Sequence, residues 1–288
     1  QEFGVITKNE DNAAWNYFST ISNPLYTAVR YNEEQTGGDT HVAADIVCYM
    51  NGYNDPRRAS YFEPSGWSGK EYVGLRRGIN MKKADSYFSK YSRVNISASA
   101  PVMWMNAAEI AFLRAEGKAI FGFNMGGEAK DFYNEGIRLS FEQLGVSGYE
   151  QYIEDGTSVP ENYTDPAGLN SHESTISDIT IKWDENAKDL MWQKERIITQ
   201  KWIANWMLGN EAWADYRRTG YPKLIPATTE GNLSGGIVNS NRGVRRMPYP
   251  LEEYTSNTEN VQNAVNQYLK GIDNMSVDVW WACKPRNN

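Results

Sequence analysis

The 288-residue sequence holds two cysteines, two histidines and no long apolar run, and each shortage removes a class of protein. Cys48 and Cys283 are too few for a disulfide scaffold, and whether they pair depends on a Cα separation that sequence does not give. With His41 and His172 as the only histidines, a multi-histidine metal centre is excluded, and His41 reads as a surface residue at a helix start. No segment reaches the roughly 18 consecutive apolar residues of a membrane-spanning helix. Basic residues are also in deficit: 29 Lys and Arg stand against 36 Asp and Glu, for a net charge of −7. The one diffuse basic group is Arg242, Arg245 and Arg246, so no extended nucleic-acid interface is expected. The run from Gly74 to Gly78 lacks phosphate-loop spacing. The chain opens at Gln1 without a basic-then-apolar leader, as a mature or trimmed product would.

Catalytic constellations are thin as well. Glu109 and Glu116 fall on one expected helix face about 10 Å apart, too far for a retaining glycosidase pair and only loosely suited to an inverting one. Glu252 and Glu253 are adjacent and point apart, and His172 has no local nucleophile and acid beside it. No enzyme is expected.

What the sequence has in quantity is aromatic side chains, 13% of residues with 18 Tyr and 10 Trp. Polar-tipped rings at that density suit a partner interface or a carbohydrate-stacking surface as well as a core. The 40% hydrophobic content is enough for one large body or two small ones.

Taken in order, residues 1–38 are aromatic but weakly periodic, with a short helix expected around 11–18. Thr40 is placed to cap a helix over 41–50, which Asn51-Gly52 and Asn54-Asp55-Pro56 bring to an end. Residues 51–104 form a loop-rich region. Within it Tyr61, Trp67 and Tyr72 lie in twelve residues among Gly, Ser and Pro, outside any helical period that would bury them. They are the candidate ligand-binding residues; the competing expectation is that Trp67 folds back onto the body.

The remaining stretch, 105–288, reads as a helical core. Asn106 and Glu109 stand in capping-box register ahead of a helix over 106–121, where Ala107, Ala111, Ala115 and Ala119 line one side and allow close helix approach. Glycines follow, then a helix over 128–144 with Phe132, Tyr133, Ile137 and Phe141 at helical spacing. The pair has the shape of a tetratricopeptide-like hairpin. Residues 145–180 form a polar excursion, and its loop over 162–170 offers oxygen ligands for a structural calcium ion, without EF-hand spacing. A long helix over 187–208 carries Trp202 and Trp206 on its apolar stripe, both expected in the seam beside the alanine line. Gly209 is expected to end it, Asn210 to cap a second helix over 210–219, and Gly220 to stop that one. Arg245 and Arg246 are expected to be structural, held by a carboxylate such as Asp215. Ser256 and Glu259 read as a second capping box opening a helix through Leu269, closed by Gly271. The tail with Trp280-Trp281 needs a core to dock on.

Five of these motifs, in order, resemble one family. Glu195–Ala204 with Asn210–Pro222, the run Arg245-Arg-Met-Pro-Tyr-Pro250, residues 257–261, Gly271–Met275 with Trp280-Trp281, and the pair of Asp55-Pro56-Arg57 with Ala108–Glu116 are similar to the SusD/RagB family. The resemblance spans roughly residues 41–281. It implies a mainly α fold of tetratricopeptide-like helical hairpins with long irregular loops. It further implies a surface lipoprotein of the outer membrane in Bacteroidetes-type bacteria, binding a glycan or a peptide and passing it to a TonB-dependent transporter. A purely structural helical-repeat scaffold is the alternative. Family members are longer, with a signal peptide, a lipidated cysteine and further helical repeats ahead of this region. The chain is therefore expected to be a single body, 1–288, lacking that N-terminal part, which would be a separate chain or a removed segment. No ligand residue carries over by motif, because the family binds through variable loops.

Overall fold

A computed structural model describes residues 4–18, 20–31, 40–186 and 189–283. Its centre is the helical hairpin. Helices are numbered here in chain order; α1 (Pro24–Arg30), α2 (Ala44–Gly52), α3 (Arg58–Tyr61) and α4 (Met81–Ala84) precede it. The hairpin itself is α5 (Ala107–Phe121) and α6 (Ala129–Gln143). The side chain of Asn106 caps α5 by accepting the Glu109 amide hydrogen, and Gly122 ends the helix at a φ of 69° that disfavours other residues. Ala107, Ala108, Ala111 and Ala115 are all buried. Against them α6 sets Tyr133 and Ile137, with Gly136 facing Phe112.

The capping box is only half made. Glu109 donates its own N–H to the Asn106 side chain, but its carboxylate turns inward to accept from Asn205 Nδ2 at 3.0 Å and to pair with Lys201 at 3.2 Å. Lys201 also pairs with Asp215 at 2.8 Å, Asp215 with Arg218 at 2.8 Å, and Arg218 grips Glu116 through two bonds of 2.6 and 2.8 Å. This chain of charges ties α5 to α8 (Leu190–Ala204) and α9 (Gly209–Thr219). Glu109 and Glu116 are therefore structural carboxylates, each held by a cation.

Boundaries differ from expectation where tertiary contacts intervene. The first two positions of the expected 187–208 helix lie outside the described residues. The helix ends at Ala204, because the chain turns at Asn205, and Trp206 stands beyond it. Gly209 opens α9 rather than closing α8, with no side-chain cap from Asn210; Gly220 stops it at φ 79° as expected. The helix expected from residue 41 begins at Ala44, since His41 and Ala43 are taken by bridges to Arg93 and Leu75. Instead of a helix around 11–18 there is a 3-10 turn at Asn9–Asp11 and a strand β1 (Ala13–Trp15), antiparallel to β2 (Val102–Met105). The polar excursion contains one short helix, α7 (Tyr149–Ile153).

Two helices follow the long irregular run, α10 (Leu251–Ser256) and α11 (Thr258–Tyr268). Ser256 does not form a capping box: its hydroxyl donates back to the Glu252 carbonyl at 2.7 Å, extending α10. Gly271, at φ 79°, still closes α11. The tail docks by halves. Arg217 lies between Trp213 and Trp281, 3.6 and 4.8 Å from their ring centres, whereas Trp280 is 96% exposed. Cys48 and Cys283 are both free thiols, and burial pushes the Cys48 thiol up. No described helix is long and apolar enough to cross a membrane.

Candidate functional site

The region expected to meet a ligand is an out-and-back limb. It leaves α3 at Phe62, which bridges Val94, and Glu63 N–H bonds to the Arg93 carbonyl at 2.8 Å. At its far end residues 65–71 close a tight loop: Ser65 N–H donates to Glu71 O at 2.7 Å, and Lys70 N–H to Trp67 O at 3.2 Å. Gly66 N–H donates to Lys90 O at 2.9 Å, and a β-carbon on Gly66 would come within 3.2 Å of the Lys90 Cα. Glycine thus lets the two segments touch, and this contact sets Trp67 over the 3-10 turn Asp85–Lys90.

Trp67 is half-buried there. Its ring stacks on Tyr87 at 5.8 Å and 26°, meets Tyr91 edge-on at 6.0 Å, and carries the Lys90 ammonium 4.7 Å from its centre. Its indole N–H is buried with no acceptor among the described residues. Tyr91 holds the base of the cluster by donating to Asp165 at 2.7 Å. Burial, reinforced by that carboxylate, pushes its phenol well above the ordinary range.

The three aromatics expected on one face do not share one. Tyr72 is 7% exposed, packed edge-on to Phe62 and under the Arg58 guanidinium. It forms part of the wall of a cavity of about 290 Å³ behind the loop, together with Asn51, Arg58, Glu71 and Glu161. Asn51 Nδ2 spans that wall by donating to Tyr72 O at 3.2 Å and to Glu161 at 2.9 Å. Tyr61, 3% exposed, turns the opposite way and stacks on Trp206 at 5.1 Å and 22°. Both rings line a separate, more apolar cleft of about 450 Å³ that includes Leu25, Val102, Met103 and Leu144. Burial of Tyr61 and Tyr72 leaves neither ring a free face for stacking, so of the three only Trp67 sits at a surface loop. Tyr87 and Lys90, which complete its surroundings, had no periodicity or spacing to single them out.

The structural residues also change partners. Trp202 and Trp206 are half-buried and pack away from the alanine line, Trp202 edge-on to Tyr49 of α2 and Trp206 on Tyr61 and Phe62. Arg245 and Arg246 are buried and held by carboxylates, but not by Asp215, which Lys201 and Arg218 occupy. Arg245 Nε donates to Asp278 at 2.7 Å, and Arg246 pairs with Asp273. Both acids come from the C-terminal tail. In the 162–170 loop, Asp165 turns its carboxylate inward, accepting the amide hydrogens of Ala167, Leu169 and Asn170 as well as the Tyr91 hydroxyl. That leaves the loop's central carboxylate committed to donors instead of a calcium ion. Among the described residues no group of three or more His, Cys, Asp or Glu could hold a metal.

Comparison with known proteins places this geometry in a family. The family model described as SusD-like, Susd and RagB outer membrane lipoprotein, matches residues 1–282. A SusD homolog from Bacteroides uniformis is 70% identical, superposes with a TM-score of 0.96, and is matched over 99% of this chain and 58% of its own. One from Bacteroides ovatus is 42% identical with a TM-score of 0.86, over 98% and 58%. A homolog from Flavobacterium johnsoniae, described as chitin-binding, is 39% identical with a TM-score of 0.88, over 100% and 57%. The chain thus spans less than three fifths of the length of these relatives. No curated protein matches it.

Proposed function

Because the chain belongs to the SusD/RagB family of outer-membrane lipoproteins, we propose that it captures a glycan or oligosaccharide at the cell surface and hands it to a TonB-dependent transporter. The observation that carries this reading is Trp67: an indole held on a surface loop and backed by Tyr87, while its neighbours in the chain Tyr61 and Tyr72 are buried. Sugar rings present C–H faces that stack on such planes, while their hydroxyls take polar neighbours. Similarity to the chitin-binding homolog from Flavobacterium johnsoniae supports a saccharide over a peptide. The role is binding, without a catalytic step. In this reading the remaining length of the relatives corresponds to a further segment that supplies the lipid anchor and the rest of the helical repeats, and 1–288 is a single body.

A glycan-array screen followed by calorimetry tests the site. Trp67→Ala is expected to weaken binding of the best array hit about tenfold, in line with the roughly 1–3 kcal/mol measured for stacking on other aromatic platforms. Thermal unfolding of both proteins separates lost stacking from lost folding. Unchanged affinity in the variant would remove Trp67 from the site, and an array with no bound glycan would remove the saccharide reading.

A further inference from the structure

We propose that the Trp67 site takes a saccharide bearing an anionic group, a uronate carboxylate or a sulfate ester, with Lys90 as its pairing cation. The inference rests on the reading that Trp67 belongs to the glycan site, and it names the chemical class that reading leaves open.

One exposed cation stands at this ring, and among the described residues no carboxylate pairs with it. Lys90 Nζ lies 4.7 Å from the Trp67 ring centre and 6.0 Å from that of Tyr87, with no carboxylate paired to it. A ring face attracts an exposed ammonium only weakly, whereas an anionic oxygen would make a charge-assisted bond with it.

Among the described residues, two acids of this region are committed elsewhere. Glu63 is shared by Arg30 and Arg93. Asp165 accepts from Tyr91 and three backbone amides. Two exposed lysines elsewhere pair with carboxylates, Lys130 with Glu185 and Lys182 with Glu154, each at 2.7 Å. Lys90 is held on the ring instead, because the Gly66 amide fixes the Lys90 backbone directly beneath the loop. A neutral sugar offers hydroxyls that both donate and accept. A carboxylate or sulfate offers acceptors alone and carries the charge that pairs with the exposed Lys90 ammonium.

The test is an array carrying uronate, sulfated and neutral glycans, probed with the 288-residue chain, then calorimetry on the best acidic hit and its carboxyl-reduced or desulfated counterpart. The expected result is binding confined to acidic glycans, weakened by salt, with a preference of about tenfold or more, the size of one charge-assisted hydrogen bond. Hits confined to uronates or to sulfated glycans identify which anion is used. Lys90→Gln should abolish the preference, Lys90→Arg should keep it, and both should melt with the wild type, since Lys90 is exposed. Equal binding of neutral glycans, or a preference that survives Lys90→Gln, overturns the proposal while leaving the glycan reading standing. Binding to no glycan of any kind overturns both.

Discussion

Gly136 of α6 lies against the fully buried ring of Phe112 of α5, so closely that a β-carbon added there would stand 2.8 Å from two ring carbons. The hairpin owes its tight seam to this missing side chain as much as to the alanines opposite. Elsewhere in a helix, exchanging glycine for alanine gains up to about 1 kcal/mol of helix propensity. Here Phe112 cannot retreat, because Tyr133 meets it edge-on at 6.0 Å and its surroundings are closed. Gly136→Ala is expected to lose a net 1–2 kcal/mol, roughly, through overpacking. Urea unfolding measures it, and a gain in stability would show that the seam is loose.

Arg57 sets up a second prediction. It is 0% exposed, grips Asp55 through two bonds of 2.9 and 2.6 Å, and reaches Ser140 of α6, Tyr152 of α7 and Gln200 of α8. The Phe141 ring lies 4.7 Å beneath it. Burial by itself would lower its pKa, but the Asp55 carboxylate outweighs that and holds the guanidinium charged. Arg57→Ala would leave Asp55 buried without its cation, at a cost of about 3–5 kcal/mol. Arg57→Lys is expected to recover little of this, since an ammonium cannot span the fork. Denaturant midpoints for both variants decide it; a lysine variant as stable as wild type would mean the charge alone matters.

Acid sensitivity supplies a third. Partial burial would push the Asp155 carboxyl up, but bonds from Ser158 and from the amide and hydroxyl of Thr157 outweigh it and hold the group at about 2. A carboxyl depressed on folding adds stability that is complete above its unfolded pKa, near 3.8, and is lost as pH falls through the folded value. Asp155→Ala should therefore cost roughly 1 kcal/mol at neutral pH, after allowance for solvent screening, and the gap to wild type should close between about pH 4 and pH 2. Parallel unfolding curves across that window check it. A gap that stays constant with pH would assign the loss to something other than the carboxylate.

The helical hairpin was legible because its signals are local. Asn106 three residues before Glu109, the alanine spacing, and Gly122 just past the last periodic residue each act within a turn or two of helix. Gly220 and Gly271 stop their helices for the same reason. Family membership was legible too, from short motifs kept in order along the chain.

Partner choice across the fold was not legible. Arg245 and Arg246 were readable as carboxylate-bound, since two buried guanidinium groups need anions, but Asp215 was already held by Lys201 and Arg218, and the acids came from Asp278 and Asp273. Strand β1 is named only by its pairing with β2, far along the chain. The same holds for the candidate site. Tyr61, Trp67 and Tyr72 look alike in sequence, each an aromatic among loop-forming residues. What separates them is Trp206 stacking on Tyr61, Phe62 and Arg58 closing over Tyr72, and Gly66 on Lys90 holding Trp67 at the surface. Hydrogen bonding and periodicity within a helix are fixed by neighbours a few positions away, so the sequence by itself determined the hairpin. Which face of a loop aromatic is buried depends on groups distant in the chain, and only the tertiary structure decided that.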